Sequence, residues 1–312
     1  MLDIDFSQSP AALAPLAGLT DLPFRYICKK FGADITFSEM ISVNALIRDS
    51  KKTFHMLKCA PNEDRYIIQL AGSDIAGIVQ AVEILNDIDG IIGIDLNCGC
   101  PVPKVTAQDA GSSLLRDLPH LLKIVEAIKK HSNKRYTSVK TRIGFSEKTP
   151  EIIAKTIEDA GADFISIHGR TRNGGYKALV DYDAIRRAKE AVKIPVFANG
   201  DITTYEKALE VKGLTKCEGV MIGRGAVGNP WIFYQLKHNQ KSVDKSLIKS
   251  VVLEHLQFMR EFYKDEMGVI LFRKHLHAYS KSLPEAAAFR NRVNAISNAD
   301  EMRLEIENFF GA

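Results

Sequence analysis

The 312-residue chain reads as an α/β protein: a (β/α)8 barrel followed by a small all-α helical bundle. Three observations predict this. Eight short apolar runs alternate with amphipathic stretches over about 235 residues, which suits a TIM barrel in length as well as order. Helical stretches stop at glycine before a new strand begins, as in Phe31-Gly32-Ala33-Asp34 and Ala160-Gly161-Ala162-Asp163. Beyond Pro230-Trp231-Ile232-Phe233 only helical spacing remains. A doubly wound sheet is the competing arrangement, and eight units favour the barrel. The expected division is a barrel domain over residues 1–238 and a helical domain over 239–312.

In order, the predicted strands are Ala12–Ala17, Ile35–Ser38, Tyr66–Leu70, Gly93–Asn97, Thr137–Thr141, Phe164–His168, Pro195–Asn199 and Gly219–Ile222. The predicted helices between them are Pro23–Phe31, Asp74–Asn86, Leu118–His131, Pro150–Gly161, Asp181–Ala191 and Thr204–Lys212. In the tail, apolar positions fall at 248, 251/252, 255/256, 259 and 262/263, then at 269, 272, 276, 279 and 283. Two further sets lie at 286, 289, 293 and 296 and at 302, 306, 309 and 310. Spacing of three and four gives four helices packed as a bundle. The segment Gly268–Arg292 carries Arg273, Lys274, Lys281, Arg290 and Arg292 against Glu285, with His275, His277, Tyr279 and Phe289 interleaved. Such a patch suits RNA phosphates and unstacked bases, and a solvated bundle surface is the competing reading.

The bulk properties set outer bounds. Hydrophobic residues make up 46% and charged residues 26%, ordinary values for a soluble enzyme, and a net charge of +4 permits a polyanionic partner without demanding one. The five cysteines (28, 59, 98, 100 and 217) include no C-x-x-C pair, which argues against a disulfide framework or a structural metal site. No apolar run approaches the roughly 18 residues of a membrane span, and Met1–Pro10 lacks the marks of a signal peptide. A reduced, cytoplasmic protein is expected.

The chain is organised around Gly93-Ile-Asp-Leu-Asn97-Cys-Gly-Cys100-Pro101-Val-Pro-Lys104. Pro101 has no backbone donor and Gly99 tolerates unusual φ, so the strand into Asn97 stops there. Cys100 is left on an irregular loop at a strand's carboxyl end, where parallel α/β folds place ligand-facing residues. The other strand ends supply Pro15-Leu16-Ala17, Glu39, Gln69, Lys140 with Arg142, His168 with Arg170, Asn199-Gly200-Asp201 and Gly223-Arg224. Each alone is unremarkable, but eight small or polar endings in register point to one pocket. Asn199-Gly200-Asp201 and Gly223-Arg224-Gly225 follow the seventh and eighth strands, where barrels commonly hold a phosphate.

Two residues leave their chemistry open. Lys140 suits either a Schiff base or a charge beside a cofactor ring such as the pyrimidine edge of a flavin. An ordinary thiol is mostly protonated at neutral pH, so Cys100 can serve as a general acid, and needs a lowered pKa to be a nucleophile. Zinc binding by Cys98-x-Cys100 lacks a second ligand pair, and Cys98 reads as a packing residue.

These motifs resemble the bacterial tRNA-dihydrouridine synthases, most closely the B-type subgroup. The likeness runs through Leu13-Ala-Pro-Leu-Ala-Gly-Leu-Thr-Asp21, Phe37-Ser-Glu-Met40, Gln69-Leu-Ala-Gly-Ser73 and Asp95-Leu-Asn-Cys-Gly-Cys-Pro101. It continues through Val139-Lys-Thr-Arg-Ile-Gly144, Ile167-His-Gly-Arg-Thr171, Ala198-Asn-Gly-Asp201 and Gly223-Arg-Gly-Ala-Val-Gly-Asn-Pro-Trp-Ile-Phe233. The resemblance implies an FMN oxidoreductase, driven by NADPH, that reduces the C5=C6 bond of uridines in tRNA. Flavin N5 delivers hydride to C6 and Cys100 protonates C5. It further implies that Pro15, Leu16 and Ala17 line one side of FMN, with Gln69 and Lys140 at its ring edge. His168, Asn199, Gly200, Asp201, Gly223 and Arg224 would hold the rest of the cofactor. Asn97 would face the uracil, and Lys104, Arg142, Arg170, Arg273 and Lys274 would meet tRNA. Leu16 and Cys98 stand where methionine is usual, and His277 where glycine is common. A monomer without a metal is expected. The rivals are a flavin reductase of free pyrimidines, which needs no helical tail, and a non-catalytic RNA-binding module.

Overall fold

The computed structural model describes residues 2–242, 244 and 246–311. Eight strands form the barrel: β1 (Ala11–Leu13), β2 (Ile35–Phe37), β3 (Tyr66–Ala71), β4 (Ile91–Cys98), β5 (Tyr136–Arg142), β6 (Phe164–His168), β7 (Val196–Asn199) and β8 (Gly219–Ile222). Every strand pairs parallel with the next, and β8 closes on β1 with Leu13 opposite Ile222. A two-residue strand, Ile41–Ser42, adds to the carboxyl end of β3. Where the sequence predicts a first strand reaching Ala17, β1 stops at Leu13. Ala14 still donates to Ile222 O at 2.8 Å, and Pro15 then has no N–H to continue the ladder.

Between the strands lie α1 (Leu22–Lys30), α2 (Ile75–Asn86), α3 (Leu118–His131), α4 (Pro150–Asp159), α5 (Tyr182–Ala191), α6 (Tyr205–Thr215) and α7 (Ile232–His238). Side chains of Asp21, Asp74, Asp117, Asp181 and Thr204 each accept from the backbone N–H three residues on, so five of these helices start on a cap worth about 1 kcal/mol. Strand alternation separates two cores. Ile94, Leu96, Val139, Ile165, Ile167 and Ala198 face outward and pack with the helices. Phe37, Ile67, Tyr136, Phe164, Phe197 and Met221 face inward. Phe6, on the 3-10 turn Phe6–Gln8, plugs the amino-terminal end of this inner core. Its ring lies 5.8 Å from Phe164 and 6.2 Å from Phe197, and the nearby Ile4 N–H donates to Tyr136 Oη at 3.0 Å. Among the described residues the barrel is therefore filled below, and its cavity lies above.

The tail forms α8 (Leu247–Tyr263), α9 (Asp265–Tyr279), α10 (Ala286–Ala295) and α11 (Ala299–Phe310), the four helices that the spacing predicts. Val252, Leu256, Met259, Phe272, Leu276, Phe289 and Ile306 make its own core. It docks on α1. Tyr26 stacks on Phe258 at 4.0 Å, Phe24 on His255 at 5.7 Å, and Lys30 pairs with Glu254 at 2.6 Å. The backbone at Gly228 approaches so close that a Cβ there would sit 2.4 Å from the Ala278 carbonyl carbon.

Candidate active site

The open end of the barrel is a cavity of about 780 Å³. Its floor follows from period-two alternation: Asn97 on β4, Lys140 on β5, His168 on β6 and Asn199 on β7 point inward, with Asp95 and Ser138 one step lower, between this floor and the apolar plug. Pro15, Leu16, Ala17, Gln69, Asn97, Cys100, Lys140, Arg142, His168, Asn199, Gly200, Asp201, Gly223 and Arg224 line it together. The sequence reading therefore converges on one place for fourteen of its residues, whereas Glu39, expected at the second strand end, is absent from the lining and accepts from Gly18 N–H.

The remaining residues stand elsewhere. Lys104 is exposed on the short helix Pro103–Thr106, just past the cysteine loop. Arg170 is 4% exposed and does not reach the rim. It donates to both oxygens of Asp201, at 3.0 and 2.5 Å, and to Ala178 O at 2.5 Å. Arg273 donates to Ile296 O at 2.8 Å and ties α9 to the end of α10, while Lys274 donates to Gly18 O in the loop after β1. Conversely, Met40, Tyr176, Thr203 and Lys281 line the cavity although the sequence reading does not place them there. The letters alone put Lys281 only in the tail's basic patch. Tyr176 is 58% exposed, with the Arg224 and Arg142 guanidiniums 4.9 and 5.6 Å from its ring. No spacing signal marks it.

The Cys100 loop is held from both sides. Asn97 Oδ1 accepts from Cys100 N at 3.0 Å and Gly99 N at 3.2 Å, while Arg142 Nε donates to Gly99 O at 2.7 Å. Ser112 donates to Cys100 O through both N (3.0 Å) and Oγ (2.9 Å). Gly111 beside it has φ +62°, and a Cβ there would stand 2.8 Å from that same oxygen.

Charge on the floor is set by burial. Burial, followed by the Arg142 cation, brings the Lys140 ammonium down to about 8. Burial brings His168 to about 2, assisted by Lys140 and Arg142, so its imidazole is neutral. Burial raises Asp95 to about 6 against the hydrogen bonds from Gln69 and Ser138. Asp201 is held below the usual carboxylate range by its bonds to Arg170. Arg224 also donates to Asp201, at 3.1 Å. Among the described lining residues, Lys140, Arg142, Arg224 and Lys281 bring cations and Asp201 the one carboxylate, so the cavity favours an anion.

The chain matches the dihydrouridine synthase family over residues 12–310. It belongs to that family. A probable tRNA-dihydrouridine synthase of Helicobacter pylori is 48% identical over 299 residues, covering 96% of this chain and 91% of the relative. The tRNA-dihydrouridine synthase B of Pseudomonas aeruginosa is 36% identical over 306 residues, covering 96% and 92%. Among solved structures, histamine dehydrogenase from Rhizobium sp. 4-9 superposes with a TM-score of 0.59 at 11% identity, covering 81% of this chain and 50% of that one, a likeness of fold. Dihydrouridine synthases are flavoenzymes. No described helix is long and apolar enough to cross a membrane.

One group of described residues outside the cavity has metal-ligand chemistry. Asp21, His255 and His275, all buried, place their ligand atoms within 4.8 Å of one another at the seam of α1, α8 and α9. Asp21 already caps α1 and accepts from Tyr263 Oη at 3.1 Å, and His255 Nδ1 lies 3.2 Å from Tyr279 Oη. This cluster lies apart from the residues that line the cavity.

Proposed function

We propose that this dihydrouridine synthase reduces the C5=C6 bond of uridines in tRNA, with FMN resident in the barrel mouth and NADPH as reductant. The observation that carries the reading is the juxtaposition of Cys100 with a floor of hydrogen-bond donors in a cavity that favours anions. The donor set fits a flavin. Gln69 Nε2 and Lys140 Nζ each bond one protein acceptor, at 2.7 and 3.3 Å, and keep further hydrogens for the carbonyl-rich edge of the ring. Pro15, Leu16, Ala17 and Met221 offer apolar contact to its face. Gly200, Gly223 and Arg224 suit its phosphate, because glycine lets backbone N–H groups come near and arginine adds charge. His168 remains neutral beside that site and Asp201 is already paired, so neither opposes an anion strongly.

When bound, FMN supplies hydride to C6 of uracil. The chain's part begins with Lys140, whose ammonium persists to about pH 8 and favours negative charge on the neighbouring ring edge. Asn97 orients the base and also fixes the loop that carries the acid. Cys100 gives its S–H proton to C5 as charge develops there, and the thiolate then regains a proton from solvent at the mouth. Arg142, anchored on Gly99 O and Thr171 O, stays at the cavity wall as a cation toward RNA. Lys104 beside the loop and Lys274 on the tail suit backbone phosphates. Arg170 and Arg273 are assigned here to bracing, through Asp201 and Ile296 O respectively. Residues 1–238 would form the catalytic unit, and 239–312 the RNA-binding one.

The test is mass spectrometry of unmodified tRNA after incubation with the purified protein and NADPH. A uridine heavier by two hydrogens, formed by wild type and lost in Cys100→Ala with flavin retained, is the expected result. Flavin-loaded, NADPH-reducible protein that leaves tRNA unchanged would overturn the assignment of substrate.

A further inference from the structure

Beneath the cavity lies a chain of polar side chains whose direction is fixed at both ends. At the lower end is Asp95, 0% exposed and absent from the cavity wall. Its Oδ2 accepts from Gln69 Nε2 at 2.7 Å and its Oδ1 from Ser138 Oγ at 2.7 Å. Gln69 Oε1 accepts from Asn97 Nδ2 at 2.7 Å, and Asn97 Oδ1 accepts from the backbone N–H of Cys100 at 3.0 Å. An ionised carboxylate can only accept and a backbone N–H can only donate. With an acceptor at one end and donors at the other, each amide has one orientation that satisfies every bond. Flipping either would set oxygen against oxygen at one contact and nitrogen against nitrogen at the next.

We infer that Asp95 is a positioning residue that sets the polarity of this relay, fixing which amide atoms the floor presents and holding the Cys100 loop in the same stroke. After these bonds Gln69 and Asn97 each keep one N–H, and Gln69 Oε1 keeps one lone pair, while Asn97 Oδ1 is filled by Gly99 N and Cys100 N. Asn199 is oriented in the same way, its oxygen accepting from Lys140 and its nitrogen donating to Met221 O at 2.8 Å. A flavin edge of two carbonyls flanking an N–H is matched by the one N–H and the one lone pair that Gln69 keeps, in the order that Asp95 fixes. The inference rests on the proposed function for the identity of that ligand as FMN. It adds that one carboxylate, touching neither cofactor nor substrate, governs two separable things: how strongly the reduced ring is stabilised and where the acid stands. Burial opposes the Asp95 charge, so an uncharged isostere should be tolerated by the fold.

The experiment compares full-length wild type with Asp95→Asn. Ser138 donates its hydroxyl proton to position 95. With that bond kept in the variant, the new amide nitrogen faces Gln69, which must turn its oxygen toward it and so reverse the relay. The expected result is at least about tenfold weaker FMN binding, a more negative midpoint potential of the bound flavin, and a melting temperature equal to or above wild type. Mere loss of a negative charge would move the potential the other way. Single-turnover reduction of tRNA by pre-reduced protein should slow by about tenfold or more. Wild-type affinity and potential in Asp95→Asn would overturn the inference, as would failure of Asp95→Asn to fold, which would mark Asp95 as structural. If wild type itself binds no flavin or leaves tRNA unchanged, the proposed function fails instead, and the two failures are told apart by that control.

Discussion

Replacing Gly111 by alanine should strain the loop that carries Cys100. Gly111 has φ +62°, where an L-residue with a Cβ pays about 1–2 kcal/mol. The added carbon would lie 2.8 Å from Cys100 O, 2.9 Å from Val105 Cγ1 and 3.2 Å from Cys100 Cβ. Forced overpacking of that kind costs about 1–3 kcal/mol more. Together these come to about 2–5 kcal/mol, a large share of the roughly 5–15 kcal/mol that stabilises a typical domain. Cys100 O cannot retreat freely because Ser112 N and Oγ both hold it. The strain therefore appears either as lost stability or as a displaced Cys100. Urea unfolding reads the first and single-turnover reduction of tRNA the second, with flavin absorbance as the control, since Gly111 does not line the cavity. A variant within about 0.5 kcal/mol of wild type and with unchanged turnover would refute the reasoning.

Other outcomes follow from buried charge. Arg25→Ala removes a guanidinium that bonds Glu63 at 2.8 Å and Lys58 O at 2.6 Å, and it strands a buried carboxylate, so unfolding free energy should fall by about 3–5 kcal/mol. A loss under 1 kcal/mol, on the order of an exposed pair, would contradict the burial. Asp95, raised from 3.8 to about 6, destabilises the fold while ionised and ceases to as pH falls through 6 toward 3.8. Asp95→Asn should thus gain stability relative to wild type as pH rises from about 4 to neutrality, offset at every pH by the cost of the reversed relay. Denaturation at several pH values checks the sign. His168, held near 2, should show a neutral imidazole by NMR from pH 5 to 9, and titration near the ordinary value of 6.5 would show that burial and the neighbouring cations do not act as described.

Much of this architecture was legible in the sequence because period-two strands and glycine stops are local signals. The strand cores came out nearly in place, as did all four tail helices. Boundaries erred where a side chain decides them. Pro15 ends β1 early, and β4 runs one residue past Asn97, with Cys98 still opposite Thr141. The plug was not visible, because a single Phe6 on a 3-10 turn has no periodicity to betray it. The cavity residues were found through their position at strand ends. Asp95 and Ser138 were passed over although the alternation that exposes Asn97 and Lys140 also turns these two inward, one step lower. Tyr176 and Lys281 arrive from a loop and from the tail, and only tertiary structure brings them to the mouth. Arg170 and Arg273 look like free cations in a string of letters. Their carbonyl and carboxylate partners, 8 to 31 residues away in sequence, show that they are anchors.

The aromatic plug beneath the barrel also bears on kinetics. Because Phe6 and its neighbours fill the lower end, the described residues make the reaction chamber a well entered from the carboxyl ends of the strands. Under the proposed function, NADPH and the target nucleotide must use that entrance in turn, since both have to reach the same ring by the same route. The oxidised nicotinamide has to depart before RNA can be seated. Double-reciprocal plots should then be parallel, and excess NADPH should compete with tRNA. A tube open at both ends would impose no such queue.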